Sequence, residues 1–436
     1  MKVLVVGSGA REHALSWKLQ RSQVITEVWA WPGNIVLPKE VRRLDEAVQV
    51  WQDAVRAAKA KQIDIVVVGP EGPLDAGIAD YCEELGLKVF GPQRRIAKLE
   101  SSKAFAKNLM ADAGIPTAKF EVVKEFDAAK KEAVTMLTAQ GGTVIKASGL
   151  AAGKGVFVCH SEAEIDAAID RLAASMGAAC DEIVIEEVLE GRECSYFCML
   201  GENHLHPLGF AVDFKRAMDG DEGPNTGGMG CYTPVPWLPE SAREQVHSTI
   251  IEPLLAEFAK RKISYVGYLY VGLMWSEQGP KVVEFNVRLG DPEAQVLALA
   301  SEADWGIAIA RSLGLIPEGS ALGDPAVLPE TDSSAKAVAV VLASSGYPFD
   351  RKIPENANLE EKLFANTSEE KAVFAASVLR QQEKIVPGAG RVATVVCRGK
   401  SFREARESVY GEIKHITASW PDVKYRSDIA SRLSRD

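Results

Sequence analysis

Aromatic residues make up only 7% of the 436-residue sequence, histidines number six, and 50 basic residues face 60 acidic ones, for a net charge of −10. An acidic chain of ordinary charge density is poorly matched to nucleic acid or to an anionic membrane surface, both of which need clustered positive charge. No apolar run approaches the ~18–20 residues needed to cross a bilayer. Runs such as Val338–Ala343 are strand-sized, and the amino-terminal stretch Val3–Val6 is too short for a secretion signal and leads straight into Gly-Ser-Gly. Seven cysteines, at 82, 159, 180, 194, 198, 231 and 397, include no Cys-x-x-Cys and have no histidine at ligand spacing, which argues against a zinc or disulfide framework. All seven are expected to be buried thiols, with Cys194 and Cys198 on one face of a strand. A soluble cytoplasmic protein with no nucleic-acid or membrane partner is expected.

What the sequence does contain is alternation. With 47% hydrophobic and 25% charged residues it is not disordered, and its length suits two to four domains. Up to residue 100, β-branched runs (Val3–Val6, Glu27–Ala30, Ile63–Val68, Leu87–Phe90) alternate with amphipathic stretches (Glu12–Gln20, Ala47–Lys61, Ala76–Leu85). That order predicts a doubly wound parallel sheet, with ligands gathered where strand ends meet helix starts. A boundary is expected from Gly91-Pro92 to Ser101, followed by a helix over Ser102–Ala113. Residues 117–187 read as a second alternating unit, and 193–290 as an antiparallel sheet with one long helix at Ala242–Lys260. After a linker near 317–334, a small mixed α/β unit carries strands Lys336–Leu342 and Val392–Val396 and a helix Phe402–Ile416. The expected domains are 1–101, 102–325 with a mobile subdomain 118–188, and 326–436.

Four turns could carry chemistry. Gly7-Ser-Gly9 lies between strand and helix, but Glu12 occupies the third glycine position of a dinucleotide fingerprint, which argues against NAD. A helix amino terminus remains, where Arg11 and backbone amides could grip a phosphate. A tight structural turn with Arg11 and His13 on the surface explains it equally well. The loop Gly149–Gly155 joins two strands and has Ser148 and Gly155 where a Walker A loop needs glycine and a hydroxyl. It reads as a flap closing over polyphosphate, with Lys146 and Lys154 neutralising charge. In Val283-Glu-Phe-Asn-Val-Arg288 a period of two places Glu284, Asn286 and Arg288 on one face and Val283, Phe285 and Val287 on the other. Carboxylate and amide oxygens side by side suit Mg²⁺, although a half-exposed alternating strand is the plainer reading. Asp291 is expected to cap the following helix, with Pro292 as its first residue. The last turn, Asp213–Gly230, is too glycine-rich for a strand and too polar for a core, which leaves a loop offering amides to an anion or a disordered hairpin.

In this order the motifs resemble the ATP-grasp ligases, and within them those joining glycine to phosphoribosylamine in purine biosynthesis. Residues carrying the resemblance are Gly9–Leu15, Pro32–Asn34, Val68–Glu71, Leu99–Phe105, Gly149–Val156, Gly223–Gly230 and Glu284–Glu293. The resemblance implies ATP-dependent ligation through glycyl phosphate, with ATP and Mg²⁺ (or Mn²⁺) as cofactors and glycine and phosphoribosylamine as small-molecule partners. It implies phosphate contacts from Lys103, Lys146, Gly149, Gly153, Lys154 and Gly155, adenine contacts from Glu186 and Val188, and a ribose contact from Glu193. Glu284 and Asn286 would carry the metal, and Arg288 and Lys215 would face the phosphoryl group and glycine. Asp213, Gly228, Met229 and Asp291 would line the substrate pocket; Gly9, Arg11, Glu12 and Asn34 would receive the sugar phosphate. A monomer or weak dimer is expected.

Four departures from the family pattern are visible: Ser148 for aspartate, Phe214 for histidine, Ile35-Val36 for Ala-Gly, and Phe374-Ala-Ala-Ser377 for His-Ala-Gly-Thr. They leave open a related ATP-grasp ligase with another amine or amino acid. A non-catalytic nucleotide-binding regulator is the alternative from a different class, and intact Lys146, Glu284 and Asn286 speak against it.

Overall fold

The computed structural model describes the chain except residues 46, 150–154, 176, 202–203, 318–319, 321–334, 350–356, 358, 366 and 434–436. Short β-branched strands linked by helical crossovers can pair only in parallel, and five of them do, in the spatial order Arg42–Arg43, Glu27–Pro32, Lys2–Gly7, Ile65–Val68 and Lys88–Phe90. The helix Ala10–Gln20 follows the first strand and buries ten of its eleven residues, Arg11 and His13 among them, so neither is the surface residue that a purely structural turn would leave. It is covered on one side by the core helix Glu293–Ala300, every residue of which is buried. A helix apolar on all sides belongs inside the molecule.

Helix extends further than expected. The boundary stretch before Ser102 is itself helical, over Arg94–Ser101, because its Ile96, Ala97 and Leu99 have a core to enter. Ser102 caps the next helix, Lys103–Ala113, accepting from Phe105 N at 3.1 Å. Conversely, the helix expected over Ala47–Lys61 begins only at Trp51.

Residues 120–186 form the second unit as anticipated, an antiparallel sheet ordered Phe120–Val123, Ile183–Glu186, Thr143–Ala147 and Val156–Cys159, with helices Phe126–Gln140 and Glu162–Ser175 sharing its apolar core. The third sheet has eight antiparallel strands: Gly279–Asn286, Gly267–Ser276, Arg192–Gly201, His204–Asp213, Gly230–Thr233, Lys336–Ala343, Arg391–Gly399 and Lys371–Ala375. It runs without a break across residue 325, since Gly230–Thr233 pairs directly with Ala337–Val340. The segment Asp213–Gly230 is therefore neither disordered nor strandless. It holds a small hairpin, Arg216–Met218 against Glu222–Asn225, and ends in a buried strand. Gly230 is needed there because a Cβ would fall 2.7 Å from the Ile429 side chain and 2.8 Å from the Ala339 carbonyl oxygen. The linker near 317–334 lies largely outside the described residues. All seven cysteines are buried and free, as expected.

The carboxy-terminal unit docks on the amino-terminal turns through donors and acceptors rather than apolar area alone. Ala375 N donates to His13 Nδ1 at 3.1 Å, and burial pushes His13 down to about 3, which keeps the imidazole neutral. Asn34, also buried, donates its amide to the carbonyls of Ser8 (3.0 Å), Ala375 (3.2 Å) and Ala376 (2.8 Å). Replacing Asn34 with alanine strips three carbonyls, that of Ala375 buried, of one shared donor. Equilibrium urea unfolding should record a loss of about 1–3 kcal/mol; an unchanged midpoint would show that the contact carries no stability.

Candidate active site

Lysines and carboxylates form the electrostatic centre. Lys146 lies on the buried strand Thr143–Ala147, and its Nζ donates to Glu186 Oε2 at 2.9 Å, an ion pair across the neighbouring strand. The same oxygen takes Lys107 Nζ at 3.1 Å, while Glu186 Oε1 has no partner among the described residues. A buried carboxylate with one idle oxygen at the strand end before Val188 is a ready acceptor. Beside it, Gly141, Gly142, Val188, Leu189, Met274 and Lys281 line a cavity of about 520 Å³. Lys107 was not anticipated, although its position four residues after Lys103 on one helix places the two on the same face. Burial pulls Lys107 down to about 8 against the pull of Glu186.

Ser148 ties the end of this strand to the helix Lys103–Ala113. Its hydroxyl accepts from Ala104 N at 3.1 Å, and its carbonyl takes Lys103 N at 2.8 Å. Lys103 Nζ reaches the Gly149 carbonyl at 3.4 Å. Gly153 and Lys154 lie outside the described residues; Gly155 N–H aside, its carbonyl accepts from Ala147 N at 2.8 Å.

Glu284 and Asn286 share one side of their strand, with Asn286 Nδ2 3.5 Å from Glu284 Oε1. The strict alternation expected for this strand does not hold. The ladder shifts opposite Gly272 and Leu273, so Val282, not Val283, takes the core position, and Val283 is half-buried. A bulge inserts one residue and resets the faces. Burial alone would raise the Glu284 carboxyl, but Lys215, Lys146 and Lys103 outweigh it and hold it below its usual value. An ionised carboxylate next to an amide oxygen fits a hard divalent cation that draws its other ligands from phosphate and water. Among the described residues no group of three His, Cys, Asp or Glu could hold a metal on its own.

Arg288 is held from three directions: Glu100 Oε1 at 2.8 Å, Glu71 Oε2 at 3.2 Å and Asn286 Oδ1 at 3.4 Å. Burial opposes its charge, but Glu100 and Glu71 raise its pKa. Lys215 pairs with Glu193, and Asp213 and Glu193 overcome burial to keep it charged. Burial lifts Asp213 to about 6, with Glu193 and Glu284 adding to the rise, and lifts Glu293 to about 8, with Asp213 adding to it. Met229 is buried, and its N–H and that of Phe214 are spent within the loop, on the carbonyls of Phe214 (2.8 Å) and Gly230 (2.9 Å). Asp291 does not act as the helix cap; the helix starts at Glu293. Its Oδ1 accepts from Gln295 Nε2 at 2.7 Å and its Oδ2 lies 3.4 Å from Arg391. Arg391 also donates to the Gly228 carbonyl at 3.4 Å, a link from a distant strand that no local pattern signals.

At the first turn, Glu12 accepts from Gly9 N at 2.7 Å and from Arg11 Nε at 2.6 Å, and Arg11 NH1 donates to the Leu289 carbonyl at 3.0 Å. The Glu12 carboxylate lies over bare backbone: a Cβ on Gly7 would sit 2.4 Å from its Cγ, and one on Gly69 2.3 Å from its Oε1. The structure thus brings the amino-terminal turns to the Arg288–Asp291 segment, and the lysines to Glu284.

Models of the phosphoribosylglycinamide synthetase N, ATP-grasp (A) and C domains match residues 1–100, 101–294 and 337–432. The chain belongs to the phosphoribosylglycinamide synthetase family. Similar members of this family include the phosphoribosylamine–glycine ligases of Agrobacterium fabrum, 40% identical over 98% of both chains, and of Rhizobium meliloti, 38% identical over 99% of this chain and 98% of the other. The crystal structure of the Thermotoga maritima phosphoribosylamine–glycine ligase superposes with a TM-score of 0.78 at 29% identity, over 98% of this chain and all of that one. As a phosphoribosylglycinamide synthetase family member the chain is an ATP-grasp ligase, with the α/β architecture expected and with small molecules as substrates. No helix among the described residues is long and apolar enough to cross a membrane.

Proposed function

We propose that this chain joins glycine to 5-phosphoribosylamine at the expense of ATP, giving glycinamide ribonucleotide, ADP and phosphate in purine biosynthesis, and that it does so through glycyl phosphate. The observation that carries the reading is the half-buried, ionised Glu284 beside Asn286, held down by Lys215, Lys146 and Lys103, in a chain related over its full length to ligases of that name.

The reaction needs no protein nucleophile. A glycine carboxylate oxygen attacks the γ-phosphorus and ADP leaves; the amine nitrogen of phosphoribosylamine then attacks the acyl carbon, phosphate leaves, and the amine gives up a proton. What remains for the protein is to align reactants and balance charge. Lys103, Lys146 and the 149–155 flap hold phosphates, with Lys146 already set by Glu186. The end of the strand at Glu186 and Val188 receives adenine, and Glu193 the ribose. Glu284 and Asn286 would hold Mg²⁺ or Mn²⁺, which when bound offsets phosphate charge. Lys215 and Arg288 orient the glycine carboxylate and the migrating phosphoryl group, while Asp213, Gly228, Met229 and Asp291 shape the pocket. Gly9, Arg11, Glu12 and Asn34 border the sugar-phosphate end, where Arg11 and Asn34 also hold the turns together. In this reading the unit 1–101 receives the sugar phosphate, 102–325 the nucleotide and glycine, and 326–436 closes the pocket.

The test is ADP release with phosphoribosylamine generated in situ. Release should require glycine and phosphoribosylamine together and should be lost when either is omitted. A different amino acid or amine supporting equal turnover would replace this substrate assignment, and ATP binding with no turnover under any pairing would end it.

A further inference from the structure

The loop that leads from Asp213 to Gly230 carries Asp213, Lys215, Gly228 and Met229, yet its outer hairpin has almost no core of its own. Of the residues Arg216–Met218 and Glu222–Asn225, only Ala217 is buried. Something outside the loop must therefore hold it, and the contacts name the holder. Arg426, whose side chain has no exposed surface, donates NH1 to Asp221 Oδ1 at 2.7 Å and to the Arg216 carbonyl at 3.2 Å. The other edge of the guanidinium meets Asp428, Nε to Oδ1 at 2.8 Å and NH2 to Oδ2 at 2.7 Å. Its face lies 4.9 Å over the ring of Phe214, the residue between Asp213 and Lys215.

Neighbouring atoms repeat the pattern. Gly220 N donates to Asp428 Oδ2 at 2.9 Å, Ser427 N to Asp219 Oδ1 at 2.8 Å, and the Ser427 hydroxyl to Asp219 as well. The segment 426–429 is fixed in turn to the last helix, where Tyr410 Oη donates to the Arg426 carbonyl at 2.8 Å and accepts from Ile429 N at 3.2 Å. Lys215 is held from the other side by Thr226, whose N–H and hydroxyl both donate to its carbonyl, at 2.7 and 2.8 Å. The backbone of Lys215 thus sits between Thr226 and the Phe214–Arg426 stack.

We infer that Arg426, from the carboxy-terminal unit, is a positioning residue for the glycine pocket, setting Asp213 and Lys215 through Phe214 and the 216–225 hairpin without touching substrate. A planar guanidinium can offer one edge to Asp428, another to Asp221 and its face to Phe214 at once; an ammonium can do only one of these well. The inference rests on the proposed assignment of the 213–230 loop to glycine. Arg426→Met should raise the KM for glycine about tenfold and lower kcat, Arg426→Lys should restore little, and the Kd for ATP, measured by calorimetry, should stay within a factor of two. Because Arg426 is buried and its variants could unfold the tail, Asp221→Asn and Phe214→Leu are measured beside them. Asp221 is on the hairpin surface, and its loss should raise the glycine KM in the same direction by a smaller factor without changing the melting temperature. If Lys215→Ala raises the glycine KM while Asp221→Asn and Phe214→Leu leave it native, Arg426 has no positioning role. A native glycine KM in Lys215→Ala overturns the assignment of the loop, and this inference with it. Parallel loss of glycine and ATP binding in all variants would mark Arg426 as a general stabiliser only.

Discussion

Lys146→Met should lower kcat/KM for ATP by about two to three orders of magnitude, the scale on which a preorganised cation at developing phosphate charge is worth. Methionine keeps the volume of the buried stem, so the sheet around Thr143–Ala147 should survive. Glu186 retains Lys107 as a partner at 3.1 Å, so no uncompensated carboxylate is left behind. The loss should therefore appear in turnover and in nucleotide affinity with the melting temperature close to native. A variant with native kcat/KM would remove Lys146 from the phosphate site, whereas one that melts far lower would make the lysine chiefly a partner of Glu186. Arginine should not rescue, because a fork-shaped group cannot replace a compact ammonium in a space closed by Lys107 and Glu186.

Glu284→Gln carries the second large effect. The substitution preserves size but removes a carboxylate charge held down jointly by Lys215, Lys146 and Lys103. Turnover should fall on the order of a thousandfold as the divalent ion loses its anionic ligand. The direction of nucleotide binding separates causes. Without divalent metal, ATP should bind the variant at least as tightly as the native enzyme, since Lys103, Lys146 and Lys215 then face the phosphates with one carboxylate fewer beside them. Added Mg²⁺ should strengthen binding in the native enzyme and do little in the variant. Equal metal response in both would take Glu284 out of the metal site.

Most of the order of elements up to residue 190 was legible, the helices Glu71–Asp75 and Arg94–Ser101 and the strand Arg42–Arg43 excepted, because it rests on short-range chemistry: β-branched runs, amphipathic spacing and punctuating glycines act within a few residues. Lys103 entered only through the family resemblance, whereas Lys146, Glu284 and Asn286 were singled out the same way, each inside a local motif. Their partners were not. Glu71 and Glu100 meet Arg288 across 217 and 188 residues of chain, and Arg426 meets the Arg216 carbonyl across 210, distances over which no periodicity operates. The expected faces of 283–288 failed at Val283 because a bulge depends on the opposing strand. The loop Asp213–Gly230 was misread because its order comes from Arg426, Asp428 and Gly230's neighbours, none of which its own composition reveals.

The unbroken eight-stranded sheet bears on recombination between relatives. A chimera that exchanged residues 336–433 alone would lay a foreign strand along Gly230–Thr233 and a foreign arginine against Asp221 and Phe214. Crossovers placed ahead of His204 would instead transfer the hairpin, its neighbouring strand and its clasp as one inherited piece, so viable hybrids should have their junctions there rather than between the helix Trp305–Ser312 and the strand Lys336–Ala343.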